Sequence, residues 1–137
     1  MKKAIFILLS VLFIGSLTGC SFLEETTNSV NYVNETSDYI NDLSEFANEA
    51  TQLPEEELVI KLEGLQDTIK DFLTIEPPSL AEDIHQKLES QSQALLDATN
   101  GIIDQGEIAV EQFKESEVYQ TMENIIEFQS QIEQLEL

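Results

Sequence analysis

Residues 30–50, VNYVNETSDYINDLSEFANEA, decide the fold class of this chain. Their apolar positions recur in sevens, at Tyr32-Val33, Tyr39-Ile40 and Phe46-Ala47, and acidic residues occupy the opposite side of the same helical repeat. A stripe with this period is typical of a helix in a coiled coil or a bundle. The pattern predicts a first helix over about residues 24–52.

Two further helices follow with recognisable boundaries. Pro54 and the three glutamates after it predict the start of a second helix, whose apolar face runs to Phe72. Pro77-Pro78 ends this helix, because a proline excludes the residue before it from helical geometry. Ser79 and Glu82 have the spacing of a capping box, which predicts the start of a third helix.

The rest of the chain is also helical in pattern. We expect Gly64 to let a neighbouring backbone come close, Gly106 to end the third helix, and Ser116 to cap a fourth helix. Between about residues 106 and 116 we expect a loop or an irregular turn, held against the core by Ile108, Val110 and Phe113. The predicted core face of the third helix is Ala81, Ile84, Leu88, Gln91, Leu95, Ala98 and Ile102, of which Gln91 breaks the apolar run and is expected at the edge. No alternating strand pattern occurs. The sequence predicts an all-α fold, an antiparallel up-and-down bundle of about four helices after an N-terminal signal helix, with a three-helix bundle as the alternative.

The N-terminus has the layout of a secretory signal. Lys2 and Lys3 precede an apolar run over residues 4–14, which is shorter than the roughly 20 residues that a membrane-spanning helix needs. The run leads to Leu17-Thr18-Gly19-Cys20, which resembles the lipobox of bacterial lipoproteins. That resemblance implies recognition through Leu17, Thr18 and Gly19, cleavage before Cys20, and lipid on its thiol.

This interpretation divides the chain into three parts. They are a signal peptide over residues 1–19, a short lipid-proximal tether over 20–28, and an acidic helical domain over 29–137. Two acyl chains anchor a protein stably where one is marginal, so we expect a membrane partner and a location on the extracytoplasmic face of the cell membrane. The alternatives are a cleaved secretory signal and an uncleaved N-terminal anchor, each with Cys20 as a bystander.

The charge balance limits the classes of partner. Removing residues 1–19 takes away Lys2 and Lys3 and leaves four basic residues against 27 acidic ones, a net charge of −23. Such a surface repels nucleic acids and anionic headgroups and attracts cations and basic surfaces. We therefore expect no nucleic-acid partner.

No combination of residues predicts catalysis or a cofactor. Glu82 and His85 have the Glu-x-x-His spacing of di-iron bundles, but a full site needs that element twice and His85 is the single histidine. We expect His85 to be exposed on its helix. Carboxylates along a straight helix cannot surround Ca²⁺ as a loop does. The sequence predicts no enzyme, no cofactor and no specific metal site.

The aromatic column Tyr32, Tyr39 and Phe46 has two interpretations. It belongs to the core, or, if it stays open, it forms a partner face. The segments 32–35, 39–41, 46–50, 76–78 and 81–85 also make the chain similar to a family of small Gram-positive (Bacillus-type) lipoproteins of unknown function. The resemblance implies an address and no activity. Two hypotheses remain: a non-catalytic module that binds an envelope protein or a basic ligand, and a weak binder of divalent cations.

Overall fold

Helices account for all the regular structure in the part of the chain that is described. The computed structural model of the protein describes residues 19–106 and 108–135, and the side chains of residues 27–106 and 108–135. The elements in these ranges are α1 (Gly19–Ala50), α2 (Glu55–Phe72), a 3-10 turn (Ser79–Ala81), α3 (Glu82–Gln105), α4 (Val110–Lys114), α5 (Glu117–Ile126) and α6 (Gln129–Glu133). The predicted all-α fold class is confirmed.

The helices pack as an antiparallel bundle with four positions. α1 packs against α2, α2 against α3, and α3 against α5, while α5 and α6 return along α1. The fourth position is therefore filled by two short helices in series, α5 and α6. α1 and α3 lie diagonally across the bundle, so their side chains meet at its centre.

One hydrophobic core holds these elements together. The predicted face of α2 is buried along its whole length, at Leu58, Leu62, Leu65, Ile69 and Phe72. α5 contributes Val118, Met122 and Ile125, and α6 contributes Ile132. Burying one such side chain stabilises the fold by about 1.5–3 kcal/mol relative to leaving it exposed. Since every helix buries its stripe against the others, we expect the bundle to fold as one unit.

The helix ends follow local chemistry at three predicted places. Pro54 lies just before α2, and Glu55, Glu56 and Glu57 occupy its first turn, where carboxylates complement the helix dipole. Gly106 closes α3 in the left-handed conformation with φ of 78°, which glycine adopts without a Cβ penalty. The Ser116 hydroxyl caps α5 by accepting a hydrogen bond from the Tyr119 backbone N–H at 3.3 Å.

Three local predictions are wrong. Ser79 forms no capping box, because residues 79–81 make a 3-10 turn in which the Ala81 N–H bonds the Pro78 carbonyl at 2.9 Å. Gly64 has no close neighbour in the described part of the chain, since a Cβ placed there would meet none of its atoms within 4 Å. The segment after Gly106 is not entirely a loop or an irregular turn, because residues Val110–Lys114 form α4, although Phe113 packs into the core as predicted.

Candidate functional site

Two hydrogen bonds cross the centre of the bundle between α1 and α3. Tyr32 Oη lies 3.2 Å from His85 Nδ1, and Tyr39 Oη lies 2.8 Å from Ser92 Oγ. All four side chains are buried. Buried polar groups need partners of this kind, because an unpaired donor or acceptor costs free energy in a dry core. We call these four residues the diagonal ladder.

Aromatic contacts surround the diagonal ladder. The rings of Tyr39 and Phe72 stack with centroids 4.2 Å apart and planes 8° from parallel. The His85 ring lies 5.6 Å from the rings of both Phe72 and Tyr32. Offset and edge contacts at these separations are favourable for aromatic rings. Phe72 at the end of α2 therefore joins the two rungs into one packed cluster.

Burial controls the titration of the ladder. It raises the pKa of the Tyr39 phenol to about 12, against a smaller effect of the hydrogen bond from Ser92. It also raises the pKa of Tyr32, although Thr36 acts in the opposite direction. Thr36 Oγ1 itself makes no hydrogen bond of good geometry within the described part of the chain. Desolvation lowers the pKa of His85, and the negative charge of Glu89 opposes this shift. These groups are neutral at pH 7 and serve the core.

The expectation that His85 is exposed is wrong. Only 6 % of its surface is accessible. The buried face of α3 also includes His85, Ser92 and Thr99, whereas Ile84 and Ala98 are only half-buried, and Gln91 is half-buried at the edge as predicted. The predicted positions Ala81, Leu88, Leu95 and Ile102 are buried. His85 and Ser92 are the polar partners of the two tyrosine hydroxyls of α1, and the Thr99 hydroxyl donates to the Leu95 carbonyl of its own helix at 2.7 Å.

The aromatic column does not form an open partner face. Tyr32 and Tyr39 are only 2 % and 4 % accessible. Phe46 is half-buried and packs edge-on against Phe113, with ring centroids 6.2 Å apart. The column belongs to the core, which is the alternative interpretation, because the period that aligns these rings also turns them toward α3 and α4.

An acidic cleft lies between α1 and α2. Its walls carry five exposed carboxylates and its floor contains the stacked rings of Tyr39 and Phe72. The volume is about 560 Å³, and the cleft is open to solvent. The lining carboxylates are Glu35, Asp38 and Asp42 of α1, Asp71 of α2, and Glu76 in the following connection. Among the residues that the structure describes, no lysine lines the cleft, so no described side chain in its walls offsets the negative charge.

Three of the five cleft carboxylates belong to a pattern that is visible in the sequence, and the other two do not. The acidic stripe of α1 is visible as a helical pattern, but Asp71 and Glu76 belong to another element. The signal that could have found them is the antiparallel hairpin of α1 and α2, whose turn at residues 51–54 places Glu35 and Asp71 at similar distances from it. At the turn end of the hairpin, Glu49 bonds Lys61 at 2.7 Å, and this contact raises the pKa of Lys61.

The described side chains that could bind a metal ion do not cluster into a site. Among residues 19–106 and 108–135, no group of three or more carboxylate, imidazole or thiol side chains is arranged to hold a metal ion. In the same ranges no helix combines the length and the apolar character needed to cross a bilayer.

The structure describes only two of the four residues of the predicted lipid-attachment motif. Leu17 and Thr18 lie outside the described residues, as does the predicted signal helix. Gly19 and Cys20 lie in the first turn of α1, and the predicted tether over residues 20–28 continues that helix without interruption.

Comparison with known proteins gives a family and no activity. A profile described as "Family of unknown function (DUF6376)" matches residues 32–135, which include the diagonal ladder and the acidic cleft. The chain is 27 % identical over 132 residues to "Uncharacterized lipoprotein YybP" of Bacillus subtilis (strain 168), and the alignment covers 88 % of this chain and 89 % of that protein. No solved structure matches.

Proposed function

The chain belongs to the family of unknown function DUF6376, and from this premise we propose that it is a non-catalytic binding module, anchored by lipid on Cys20 to the outer face of the cell membrane. Its acidic cleft binds a basic segment of an envelope protein. The single observation that carries the binding role is the collection of five exposed carboxylates over an aromatic floor, without a lysine among the described lining residues.

The membrane address has two independent supports. Leu17-Thr18-Gly19-Cys20 follows a charged start and a short apolar run, and a relative that aligns with most of the chain carries the name of a lipoprotein. Acylation of Cys20 would hold an otherwise water-soluble acidic bundle at the bilayer.

The non-catalytic character is supported by where the perturbed groups lie. Of the described groups with shifted pKa values, Tyr32, Tyr39 and His85 bond or pack within the core, and Lys61 forms a surface ion pair. A catalytic site places such groups around a cleft, within reach of a substrate. Tyr39 does border the acidic cleft, but its hydroxyl is bonded to Ser92 across the core.

The chemistry of the partner follows from that of the cleft. A volume of about 560 Å³ lies in the range of about 300–1,000 Å³ typical of ligand sites, so the cleft accepts a few side chains of a basic segment. Their methylene stems would pack on the floor while the ammonium or guanidinium groups meet the carboxylates. Attraction of this kind speeds association and weakens with salt. The divalent-cation hypothesis has no specific observation in its favour.

The cleft is tested with a neutralised variant and a matched control. Glu35→Gln, Asp38→Asn and Asp42→Asn remove three cleft charges, while Glu111→Gln, Glu123→Gln and Glu127→Gln remove three exposed charges elsewhere. Residues 21–137 of each protein are titrated with an oligolysine peptide at physiological salt by calorimetry. Three exposed pairs of about 0.2–1 kcal/mol each correspond to a roughly 3- to 150-fold higher Kd for the cleft variant.

The control decides the interpretation. We expect its Kd to stay within about twofold of the wild type, with the charge of the whole protein reduced equally in both variants. Equal weakening in both would show that binding follows net charge, and unchanged binding in the cleft variant would exclude the cleft. A parallel titration with Ca²⁺ at the same physiological salt concentration that shows saturable binding would favour the cation hypothesis instead.

The anchor is tested separately. Wild-type protein is expected in the membrane fraction with a diacylglyceryl mass on Cys20, and the Cys20→Ala variant in the soluble fraction. An unmodified cysteine, or a variant that still sediments with membranes, would overturn the address.

A further inference from the structure

The diagonal ladder fixes the register of α1 against α3. Tyr32 contacts His85 and Tyr39 contacts Ser92, and both pairs are separated by 53 residues. Because the sequence separation is the same in both pairs, the two helices run in the same direction and keep one register along the ladder. Residue 29 of α1 therefore lies level with Glu82, the first residue of α3.

α1 extends well beyond that level. It begins at Gly19 and contains 32 residues, so its first ten residues project past the start of α3 by about 15 Å at 1.5 Å per residue. Thr27 and Asn28, the last residues of this projection, are exposed. The helix continues through the projection because adding a turn to an existing helix needs no new nucleus.

We propose that residues 19–28 form a rigid helical spacer that holds the acidic cleft beyond the lipid headgroups, so that the cleft meets a protein partner and not the bilayer. This inference rests on the proposed acylation of Cys20. The end of the bundle with the α2–α3 connection faces the membrane, and the α1–α2 turn and Gly106 lie at the far end.

The heights follow from the helical rise. With α1 along the bilayer normal, Glu35 lies about 22 Å and Asp42 about 33 Å from the level of Cys20. The headgroup layer is about 5–8 Å thick on each side of a bilayer, and the Debye length at physiological salt is about 8 Å. The cleft carboxylates of α1 thus lie outside both the headgroups and their electrostatic field, while Glu76, in the α2–α3 connection, lies nearer the membrane.

The end nearest the membrane carries an apolar tip. Leu80, in the 3-10 turn, is 74 % exposed and lies two residues before α3, about 10 Å from the level of Cys20. The spacer keeps this tip just outside the headgroups when the helix is upright. It also separates the carboxylates at the bundle end, Glu82 and Asp83, from anionic lipids that would repel them.

The spacer is tested on the lipidated full chain by fluorescence energy transfer. Acylation consumes Cys20, the single native cysteine, so an introduced cysteine is the one free thiol. Asn28→Cys and Asn48→Cys, both at exposed positions of α1, are labelled with a donor dye. Each protein is placed in vesicles of three parts phosphatidylcholine to one part phosphatidylglycerol that contain a headgroup acceptor dye. The two dyes should differ in height by about 30 Å, with strong transfer from position 28 and weak transfer from position 48.

A hinge variant provides the second measurement. Glu24→Gly with Glu25→Pro interrupts the helix, whereas Glu24→Gln with Glu25→Gln keeps it and removes the same two charges. The height difference should fall by more than half in the hinge variant and persist in the control. Equal transfer from both positions in the wild type, or a full difference in the hinge variant, would overturn the spacer while flotation with the vesicles still supports the anchor. Failure to float would overturn the anchor and this inference with it.

Discussion

The bond between Tyr39 and Ser92 provides a test of whether the diagonal ladder stabilises the bundle. Both side chains are buried and their oxygens lie 2.8 Å apart. Ser92→Ala leaves the Tyr39 hydroxyl unpaired in the core, which costs about 1–3 kcal/mol. Tyr39→Phe should cost less, about 0.5–1.5 kcal/mol, because a helical serine can bond a carbonyl of its own preceding turn.

The double variant is the informative one. Replacing both partners removes the polar pair altogether and preserves the stacking of ring 39 on Phe72, so its free energy of unfolding should lie within about 1 kcal/mol of the wild type. The two substitutions are then non-additive by about 1–2 kcal/mol. The free energies come from urea unfolding of residues 21–137, followed by circular dichroism at 222 nm.

A matched control is available in the same chain. Tyr119 is half-buried, and its hydroxyl makes no hydrogen bond to the residues the structure describes, so Tyr119→Phe should change the free energy of unfolding by less than about 0.5 kcal/mol. A double variant that loses the full sum of the two single losses would refute the reasoning. So would a Ser92→Ala variant as stable as the wild type.

Three further predictions concern the pH dependence of stability and two glycines. Burial holds the pKa of His85 below its unfolded value of 6.5, so below about pH 6.5 the unfolded chain takes up a proton that the folded chain excludes. The stability contributed by this group is complete above that pH and falls as the pH decreases, by at most about 1.4 kcal/mol per pH unit. His85→Gln should remove this dependence between pH 5 and 8. If the free energy of unfolding from urea titrations changes with pH equally in the wild type and the variant, the prediction is contradicted. Gly64→Ala should stabilise the protein by about 0.5–1 kcal/mol, since the helix has room for a Cβ there. Gly106→Ala should destabilise it by about 1 kcal/mol, because the φ of 78° disfavours a side chain; thermal melts that shift both variants in the same direction would show that one assignment is wrong.

The acidic cleft could be predicted only in part from the sequence. Glu35, Asp38 and Asp42 are spaced three and four residues apart, so the sequence alone places them on one face of a helix. Its meaning as a binding surface required Asp71 and Glu76 from the far end of α2 and the stacked floor beneath them. The sequence could predict the charge of the surface but not its concave shape.

The sequence by itself determined the helical class, the helix ends at Pro54, Gly106 and Ser116, and the apolar face of α2. These features follow from interactions within a turn or two of the chain, such as caps, dipoles and the 3.6-residue period, which a linear pattern records directly. The tertiary structure alone decided that His85 and Ser92 point inward. A polar side chain is exposed by default, and only a partner from a distant helix, here a tyrosine hydroxyl 53 residues away, makes its burial favourable.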